Sequence, residues 1–235
     1  MALIITMCFS ASASFTATTL LVPIGLYGSK IAWAKDARYL PLAIFPLAFG
    51  IQQGFEGVAW LGIDNHQGAM IHLGSLGFLF FSNGFWLVWP ALTVFALEVR
   101  PWAQTLLLSM ALIGFFGGVF LYGPFLVYPN EIPVIIIHGS INYQEKLIYH
   151  YLLPSNIVRL TYMAIVLGPL WLSELIQLRI LGSLIAVFMI VTYCFFSYAF
   201  VSVWCFFAAI VSFYVIHIIR STIFLKSTGL KSDSY

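Results

Sequence analysis

Gln52, Glu56 and Trp60 follow one another at intervals of four residues within a long apolar stretch of the sequence. At this spacing their side chains stack on one face of a helix, with Gln53 beside them. Glu56 is the one carboxylate well inside a predicted membrane span, where an isolated charge costs about 3 kcal/mol. The carboxyl must therefore pair, face water, bind a cation or stay protonated, and this face is a candidate polar site.

Arg159 is the intramembrane cation best placed to pair with Glu56, because it lies about one turn into a later apolar stretch. Two interpretations stay open. The pair either fixes helix packing or faces an outward-opening cavity that has a function. In the second case the candidate catalytic residues are Glu56, His72 and Arg159, with a carboxylate or imidazole as general base.

Other polar side chains gather toward the same predicted ends of the helices as Glu56. They define a candidate pocket of Cys8, Ser10, Ser14, Gln52, Gln53, Glu56, Trp60, His72, Ser202, Trp204 and Cys205. Imidazoles, thiols and carboxylates are also ligands for zinc and copper. The candidate metal ligands are Cys8, Glu56, His72, His150 and Cys205. No HExxH, HxxxH or CxxC motif joins them, so ordinary loop or interface histidines are the competing explanation.

The elements that must position these residues are apolar helices. The chain is 62% hydrophobic and 8% charged, and its mean hydropathy is +1.00. About 20 apolar residues cross a bilayer as a helix, and a spanning backbone must satisfy its own hydrogen bonds. We predict an all-α bundle of seven transmembrane helices in a single domain, 1–235, with spans near 10–32, 39–62, 71–97, 103–127, 152–173, 178–199 and 201–224.

Basic residues set the predicted orientation, since cytoplasmic loops are enriched in lysine and arginine. Eight of the ten fall on one side of the predicted bundle, namely Lys30, Lys35, Arg38, Arg100, Arg179, Arg220, Lys226 and Lys231. The N-terminus is therefore predicted outside, and residues 225–235 form a short cytoplasmic tail. The apolar spans predict the lipid bilayer as partner, and a net charge of +2 implies no nucleic-acid partner. The oligomeric state does not follow from the sequence.

The longest predicted outer loop covers residues 128–151. It contains two prolines and an apolar run, 134–137, that is too short to span a membrane. The run is followed by His138, Gly139 and Ser140. This pattern is typical of a small hairpin with its turn at 138–140, or of an interfacial lid over the cavity.

Three stretches carry a resemblance to a known group. The segment from Met7 reads MCFSASASF, the second helix holds QQxxEGxxW from Gln52, and the last helix holds SVWCFFAA from Ser202. These motifs resemble an uncharacterised family of bacterial multi-pass membrane proteins. The resemblance implies a bacterial inner membrane location and key positions on helices one, two and seven. Residues 1–7 lack the basic start of a signal peptide, and Met1 and Met7 are alternative start sites.

Three classes of function fit these features. The first is binding or transport of a small solute or metal ion in a pocket centred on Glu56. The second is a membrane-embedded hydrolase or transferase that acts on a lipid-like substrate. The third is a structural subunit of a larger membrane complex, in which the polar residues serve assembly.

Overall fold

The computed structural model describes residues 10–127, 134–137, 140–143, 155–195 and 200–227. The elements in chain order are α1 (Ala11–Lys35), a 3-10 turn (Ala37–Tyr39), α2 (Leu40–Asp64), α3 (Gly68–Phe80), a π-helical turn (Phe81–Phe85), α4 (Trp86–Leu97), α5 (Pro101–Val127), β1 (Val134–Ile137), β2 (Ser140–Tyr143), α6 (Ser155–Leu172), α7 (Ile176–Phe195), α8 (Phe200–Val211) and α9 (Phe213–Ser227). The prediction of a helical fold is confirmed, with one hairpin of strands added to it.

Within the described residues, four helical stretches are long and apolar enough to cross a membrane, namely Gly68–Leu97, Pro101–Val127, Ile176–Phe195 and Ser202–Thr222. The exposed face of α5 carries large apolar side chains, including Phe115 and Phe116, as expected of a helix in contact with lipid. These features are those of a membrane protein. Each of the seven predicted segments contains helix, but the count of seven spans and their orientation stay predictions.

Consecutive helices pack antiparallel and at close range. Gly25 of α1 lies against the backbone of Leu47 in α2, and Gly50 lies against Val22, so the contacts run in opposite directions along the two helices. Gly74 of α3 lies just as close to the backbone of α2. Small residues allow such approaches between membrane helices, and the packing holds α2 between its two neighbours.

Two predicted spans contain breaks that the sequence pattern does not show. The third span changes from α to π geometry at Phe81–Phe85, between α3 and α4. A π turn releases a backbone carbonyl, and here the Tyr162 hydroxyl donates to the Ser82 carbonyl oxygen at 2.5 Å. The seventh span breaks at Ser212, whose hydroxyl donates to the Ala209 carbonyl oxygen at 2.6 Å.

The two strands form an antiparallel hairpin in which Ile137 pairs with Ser140 and Val134 pairs with Tyr143. This pairing agrees with the hairpin alternative, while His138 and Gly139 of the predicted turn lie outside the described residues. The hairpin packs into the bundle, since Ile141 is buried and the Tyr143 ring stacks on Phe78 with centroids 5.0 Å apart. It therefore covers the helices rather than standing away from them.

An arginine cluster joins the turn between α4 and α5 to the turn between α6 and α7. Arg100 donates to both carboxylate oxygens of Glu98, at 3.0 and 2.7 Å, and to the Leu172 carbonyl oxygen at 3.0 Å. It also lies 3.2 Å from Glu174. The hydrogen bonds from Arg100 hold the pKa of Glu98 at about 2, below its ordinary value of 4.5. Arg100, predicted only as a topological anchor, therefore fastens two turns together.

Candidate polar site at Glu56

Glu56 lies where α2 meets α8, and its carboxyl is enclosed. The residue is 2% exposed. One carboxylate oxygen accepts a hydrogen bond from Gln53 Nε2 at 3.1 Å, and the other accepts one from the Ser202 hydroxyl. Gln53 reaches the carboxyl because it lies three residues earlier on the same helix, whereas Ser202 comes from α8. Both donors are neutral, so neither balances a charge on the carboxyl.

Gln52 extends the polar face by one turn toward α4. Its Oε1 accepts a hydrogen bond of 2.7 Å from the indole Nε1 of Trp86, and this bond fixes the direction of the side-chain amide. The Trp86 ring stacks on Phe49 of α2, with centroids 3.9 Å apart. Gln52 is fully buried. The hydrogen bond therefore joins α2 to α4 in an apolar setting.

Cys205 and Tyr143 complete the group. Cys205 lies one turn after Ser202 on α8, is buried, and is beside the amide of Gln52. Tyr143 of the hairpin belongs to the same buried core as Cys205. Burial, and then the charge of Glu56, raise the pKa of Tyr143, so its hydroxyl is a neutral group. We call the set Gln52, Gln53, Glu56, Tyr143, Ser202 and Cys205 the Glu56 cluster.

Several polar atoms of the Glu56 cluster have unused hydrogen-bonding capacity. Among the described residues, Gln53 Oε1, Gln52 Nε2 and the Tyr143 hydroxyl are buried and have no hydrogen-bond partner. A buried polar atom left unsatisfied costs about 1–3 kcal/mol, and most such atoms in proteins are paired. The cluster therefore presents more bonding groups than its own contacts use.

The remaining predicted pocket residues that the structure describes are two tryptophans, two serines and one histidine. Trp60 is buried in the same apolar core as Cys205, and Trp204 packs edge to face on Tyr162 at 5.5 Å. Ser14 is buried on α1, while Ser10 caps that helix by accepting a hydrogen bond from the backbone nitrogen of Ala13 at 3.3 Å. Neither serine has a hydrogen bond to the Glu56 cluster. His72 is half-buried on α3.

Part of the predicted site falls outside the described residues. Cys8 and His150 belong to segments that the structure does not describe, and the side chain of Arg159 is likewise outside it. The pairing of Arg159 with Glu56 therefore stays a prediction. Within the described part of the chain, no three histidine, cysteine, aspartate or glutamate side chains come together as a metal site. Cys194 and Cys205 are free thiols.

A small cavity adjoins the Glu56 cluster. It has a volume of about 20 Å³, and Trp86 and Cys205 belong to its wall. Further aromatic rings line it, namely Phe45, Phe49, Tyr162 and Trp204. A cavity of this size holds about one water molecule. The cavity reaches the Glu56 cluster only at Cys205, and the Glu56 carboxyl is not part of its wall.

A larger groove of about 390 Å³ runs between α1 and the pair α8 and α9. Its wall includes Ser12, Thr16 and Phe213, but no member of the Glu56 cluster. The Thr16 hydroxyl donates to the Ser12 carbonyl oxygen at 2.7 Å, so this hydroxyl is satisfied within its own helix.

The sequence did not predict Trp86 and Tyr143 as residues of the site. Trp86 does carry one signal in the sequence, because it lies deep within a predicted span, whereas tryptophans that anchor a helix at the membrane interface lie near its ends. Tyr143 gave no comparable signal, because nothing in a loop sequence shows that a strand will pack down onto the helices. The π turn at Phe81–Phe85 also had no signal in the pattern of apolar residues.

Long apolar helices around an enclosed polar cluster define a helical membrane protein. The chain belongs to a family of unknown function (DUF6629), which it matches over residues 7–227. The match therefore covers the whole bundle and the hairpin. No curated protein matches the chain. No solved structure matches it either.

Proposed function

We propose that this protein binds a small solute or ion at the Glu56 cluster, within a seven-span bundle of the bacterial inner membrane with its N-terminus outside. The observation that carries the proposal is the state of the Glu56 carboxyl. It is 2% exposed and receives hydrogen bonds from two neutral donors. The ion pairs of the described residues involve Arg38 and Arg100, so none reaches Glu56.

Burying the Glu56 carboxyl in an apolar interior carries an energetic cost. Placing a charged or polar group in an apolar interior is unfavourable unless it is paired, and an uncharged residue would pack the helices at lower cost. A purely structural cluster would also use its hydrogen-bonding atoms internally, as most buried groups do. Within the part of the chain that the structure describes, Gln53 Oε1 and the Tyr143 hydroxyl are not used in this way. Their free capacity supports a bound ligand over simple packing.

The hairpin supplies the cover of the proposed site. Tyr143 and Ile141, two residues earlier on β2, are buried in the same core as Cys205 of the cluster. Loops that enclose ligands commonly exclude water in this manner. Entry from the outer side would therefore require the hairpin to move, and the hairpin is the lid in this proposal.

Thermal unfolding of the full chain in nanodiscs tests the proposal. The melting temperature, Tm, is measured with a panel of alkali salts, ammonium, zinc, copper, small amines and amino acids. A ligand that binds only the folded state raises Tm with its concentration. At least one compound is expected to do so in the wild type and not in Glu56→Gln.

Asp64→Asn is the matched control, because it neutralises an exposed acid two turns further along the same helix. This variant should respond to the ligand as the wild type does. If no compound raises Tm, or if Glu56→Gln and the wild type respond equally, the Glu56 cluster is not a binding site.

A second candidate function is acyl transfer from a lipid-like ester, and the contact between Ser202 and Glu56 favours it. A hydroxyl that donates to a carboxylate is the arrangement of a nucleophile with its base. Ser202 Oγ would attack the ester carbonyl carbon while Glu56 accepts the hydroxyl proton. The departing alcohol would take that proton, leaving an acyl-serine that water then hydrolyses. A fluorophosphonate probe should then label the wild type and spare Ser202→Ala. Equal labelling of both proteins, or none, excludes this function.

A further inference from the structure

The groove between α1 and the pair α8 and α9 is open to the outside of the bundle. Leu21 and Ala209 are each 1% exposed and form its floor. Leu20, Ile210 and Phe213 are 51%, 46% and 39% exposed, so they form its rim. A groove with a buried floor and an exposed apolar rim can receive a molecule from the surroundings of the helices.

The groove occupies one half of a stretch that is long enough to span a membrane. It joins residues 12–21 of α1 to residues 206–213, and further along Gly28 lies against Ile216. The two walls therefore run in the same direction. Residues 206–213 extend from near the start of the stretch Ser202–Thr222 to its middle. In a bilayer the groove thus faces the hydrocarbon of one leaflet.

The dimensions of the groove fit one hydrocarbon chain. Its α1 wall runs from Ser12 to Leu21, and nine residues at 1.5 Å each give a length of about 14 Å. The hydrocarbon of one leaflet is about 15 Å deep, which is half of the full core. Over this length, a volume of about 390 Å³ corresponds to a mean cross-section of about 28 Å² and a width of about 6 Å. An acyl chain, whose carbons need contact distances of about 4 Å, fits this width, whereas a helix with a diameter of about 10 Å does not.

The polarity of the groove changes from one end to the other. Ser12 and Thr16 lie at the end where α1 begins, whereas the far end, at Leu21 and Phe213, is apolar. No described residue of the wall is charged. In a glycerolipid an ester group and a hydrocarbon chain follow one another in the same order. The carboxylate of a free fatty acid would lack a counter-charge in this groove.

A pair of serine hydroxyls at the start of α1 has a hydrogen to spare. Ser10 Oγ and Ser12 Oγ lie 2.9 Å apart and share one hydrogen bond. Two hydroxyls carry two hydrogens, and one of these is enough for this bond. Ser10 Oγ also accepts from the backbone nitrogen of Ala13, which uses no hydroxyl hydrogen. Within the described residues, one O–H is therefore left to donate to an ester carbonyl oxygen.

We infer that the groove binds one acyl chain of a bilayer glycerolipid, with the ester end at Ser10 and Ser12 and the methyl end at Leu21 and Phe213. The site is separate from the Glu56 cluster, since no member of the cluster belongs to the described wall. The inference therefore goes beyond the proposed function and does not depend on it. It gives one lipid a defined position and direction, in contrast to general contact of lipid with the exposed face of α5.

Photo-crosslinking in nanodiscs tests the position of the chain. The full chain is reconstituted in phosphatidylcholine with a small fraction of phosphatidylcholine that carries a diazirine on one acyl chain, either near the ester or near the terminal methyl. Labelled residues are located by proteolysis and mass spectrometry, and Phe115 and Phe116 on α5 give the reference for unspecific contact with lipid. The groove is expected to be labelled about tenfold more strongly than this reference, a preference of about 1.4 kcal/mol.

The two probes test the direction of the chain. The probe with its diazirine near the ester should label Ser12 and Thr16, and the probe with its diazirine near the methyl should label Leu21 and Phe213. If both probes label the groove no more than α5, or if the order of the labels is reversed, the inference is wrong. These measurements use the wild type, so they decide the matter even where a variant does not fold.

A variant that fills the groove gives the test its specificity. Ala17 belongs to the wall and is half-buried, so the larger side chain of Ala17→Leu takes up space that the acyl chain needs. Labelling of the groove should fall about tenfold in this variant. Ala164→Leu is the matched control, because it adds the same atoms at an exposed position of α6 and should leave the labelling unchanged.

Two outcomes with the variants overturn the inference. Labelling of the groove that stays the same in Ala17→Leu would show that the chain lies elsewhere. A dimer of the wild type in the nanodisc that Ala17→Leu dissociates would identify a second copy as the occupant. Neither outcome bears on ligand binding at Glu56, which is measured separately through Tm.

Discussion

The hydrogen bond from Ser202 to Glu56 gives a quantitative test of the charge on the buried carboxyl. Ser202→Ala removes the donor and leaves Gln53 as the described partner of the carboxyl. Ser202 and Glu56 are 1% and 2% exposed, so solvent does not replace the lost bond. A hydrogen bond to a charged group contributes about 1.5–3 kcal/mol to stability, whereas polar contacts between membrane helices average about 0.6 kcal/mol.

A double-mutant cycle distinguishes a hydrogen bond to a charged Glu56 from a hydrogen bond to a neutral one. The four proteins are the wild type, Ser202→Ala, Glu56→Gln and the double variant, and the free energy of unfolding is measured in mixed micelles containing sodium dodecyl sulfate. Glutamine still accepts a hydrogen bond from Ser202, so the coupling reports only the part that depends on charge. The expected coupling energy is about 1–2 kcal/mol.

Ser75→Ala is the control for this cycle. Ser75 is fully buried, and its hydroxyl has no hydrogen-bond partner within the described chain. Its coupling to Glu56→Gln should stay within the additivity error of about 0.3–0.5 kcal/mol. A coupling equally small for Ser202→Ala would show that Glu56 is neutral in the folded protein, and the reasoning from an unbalanced charge would be refuted.

Three further predictions concern packing, hydrogen bonding and pH. Gly74→Ala places a Cβ 2.7 Å from the Phe55 carbonyl oxygen, and unfolding in the same micelles should show a loss of about 1–3 kcal/mol. Gln52→Leu leaves the buried indole N–H of Trp86 without its acceptor and should also cost about 1–3 kcal/mol. Glu98 has a pKa of about 2 in the folded protein against 4.5 ordinarily, so its contribution is present above pH 4.5 and is lost as pH falls toward 2. Glu98→Gln should weaken the dependence of stability on pH in that range.

Each of these predictions has a control in the chain. Gly68→Ala adds a Cβ where nothing lies within 4 Å, and Gln67→Leu changes an exposed glutamine, so both should stay within about 0.5 kcal/mol of the wild type. Glu174 is an exposed partner in the arginine cluster, and Glu174→Gln should retain the acid dependence. If Gly74→Ala is as stable as Gly68→Ala, the described approach of α3 to α2 is wrong.

The helical architecture followed from the sequence because apolar runs of about 20 residues have few alternatives in lipid. The grouping of Gln52 with Glu56 also followed, since a spacing of four residues places side chains on one helix face whatever the tertiary structure. The strands at 134–137 and 140–143 agree with the hairpin alternative. These features depend on residues that are close together in the chain, so residue spacing and composition are enough to predict them.

The partners across helices could not be predicted in the same way. Trp86 reaches Gln52 over 34 positions of the chain, and Ser202 reaches Glu56 over 146. Such contacts depend on the rotation of each helix about its axis, which packing of the whole bundle determines. Tyr143 depends in addition on how the hairpin packs. The sequence therefore indicated the polar face of α2 but not the groups that surround it.

The arginine cluster has a consequence for motion in the bundle. Arg100 ties the α4–α5 turn to the end of α6 and to Glu174, just before α7, so four helices are fastened at one end. When helices are held together at one end, a tilt displaces them most at the opposite end. Because consecutive helices run in opposite directions, Glu56, Ser202 and the start of α3 lie at the opposite end of the bundle from Arg100. A small tilt of α4 to α7 would thus move their far ends, which lie level with Glu56, more than the turns held by Arg100.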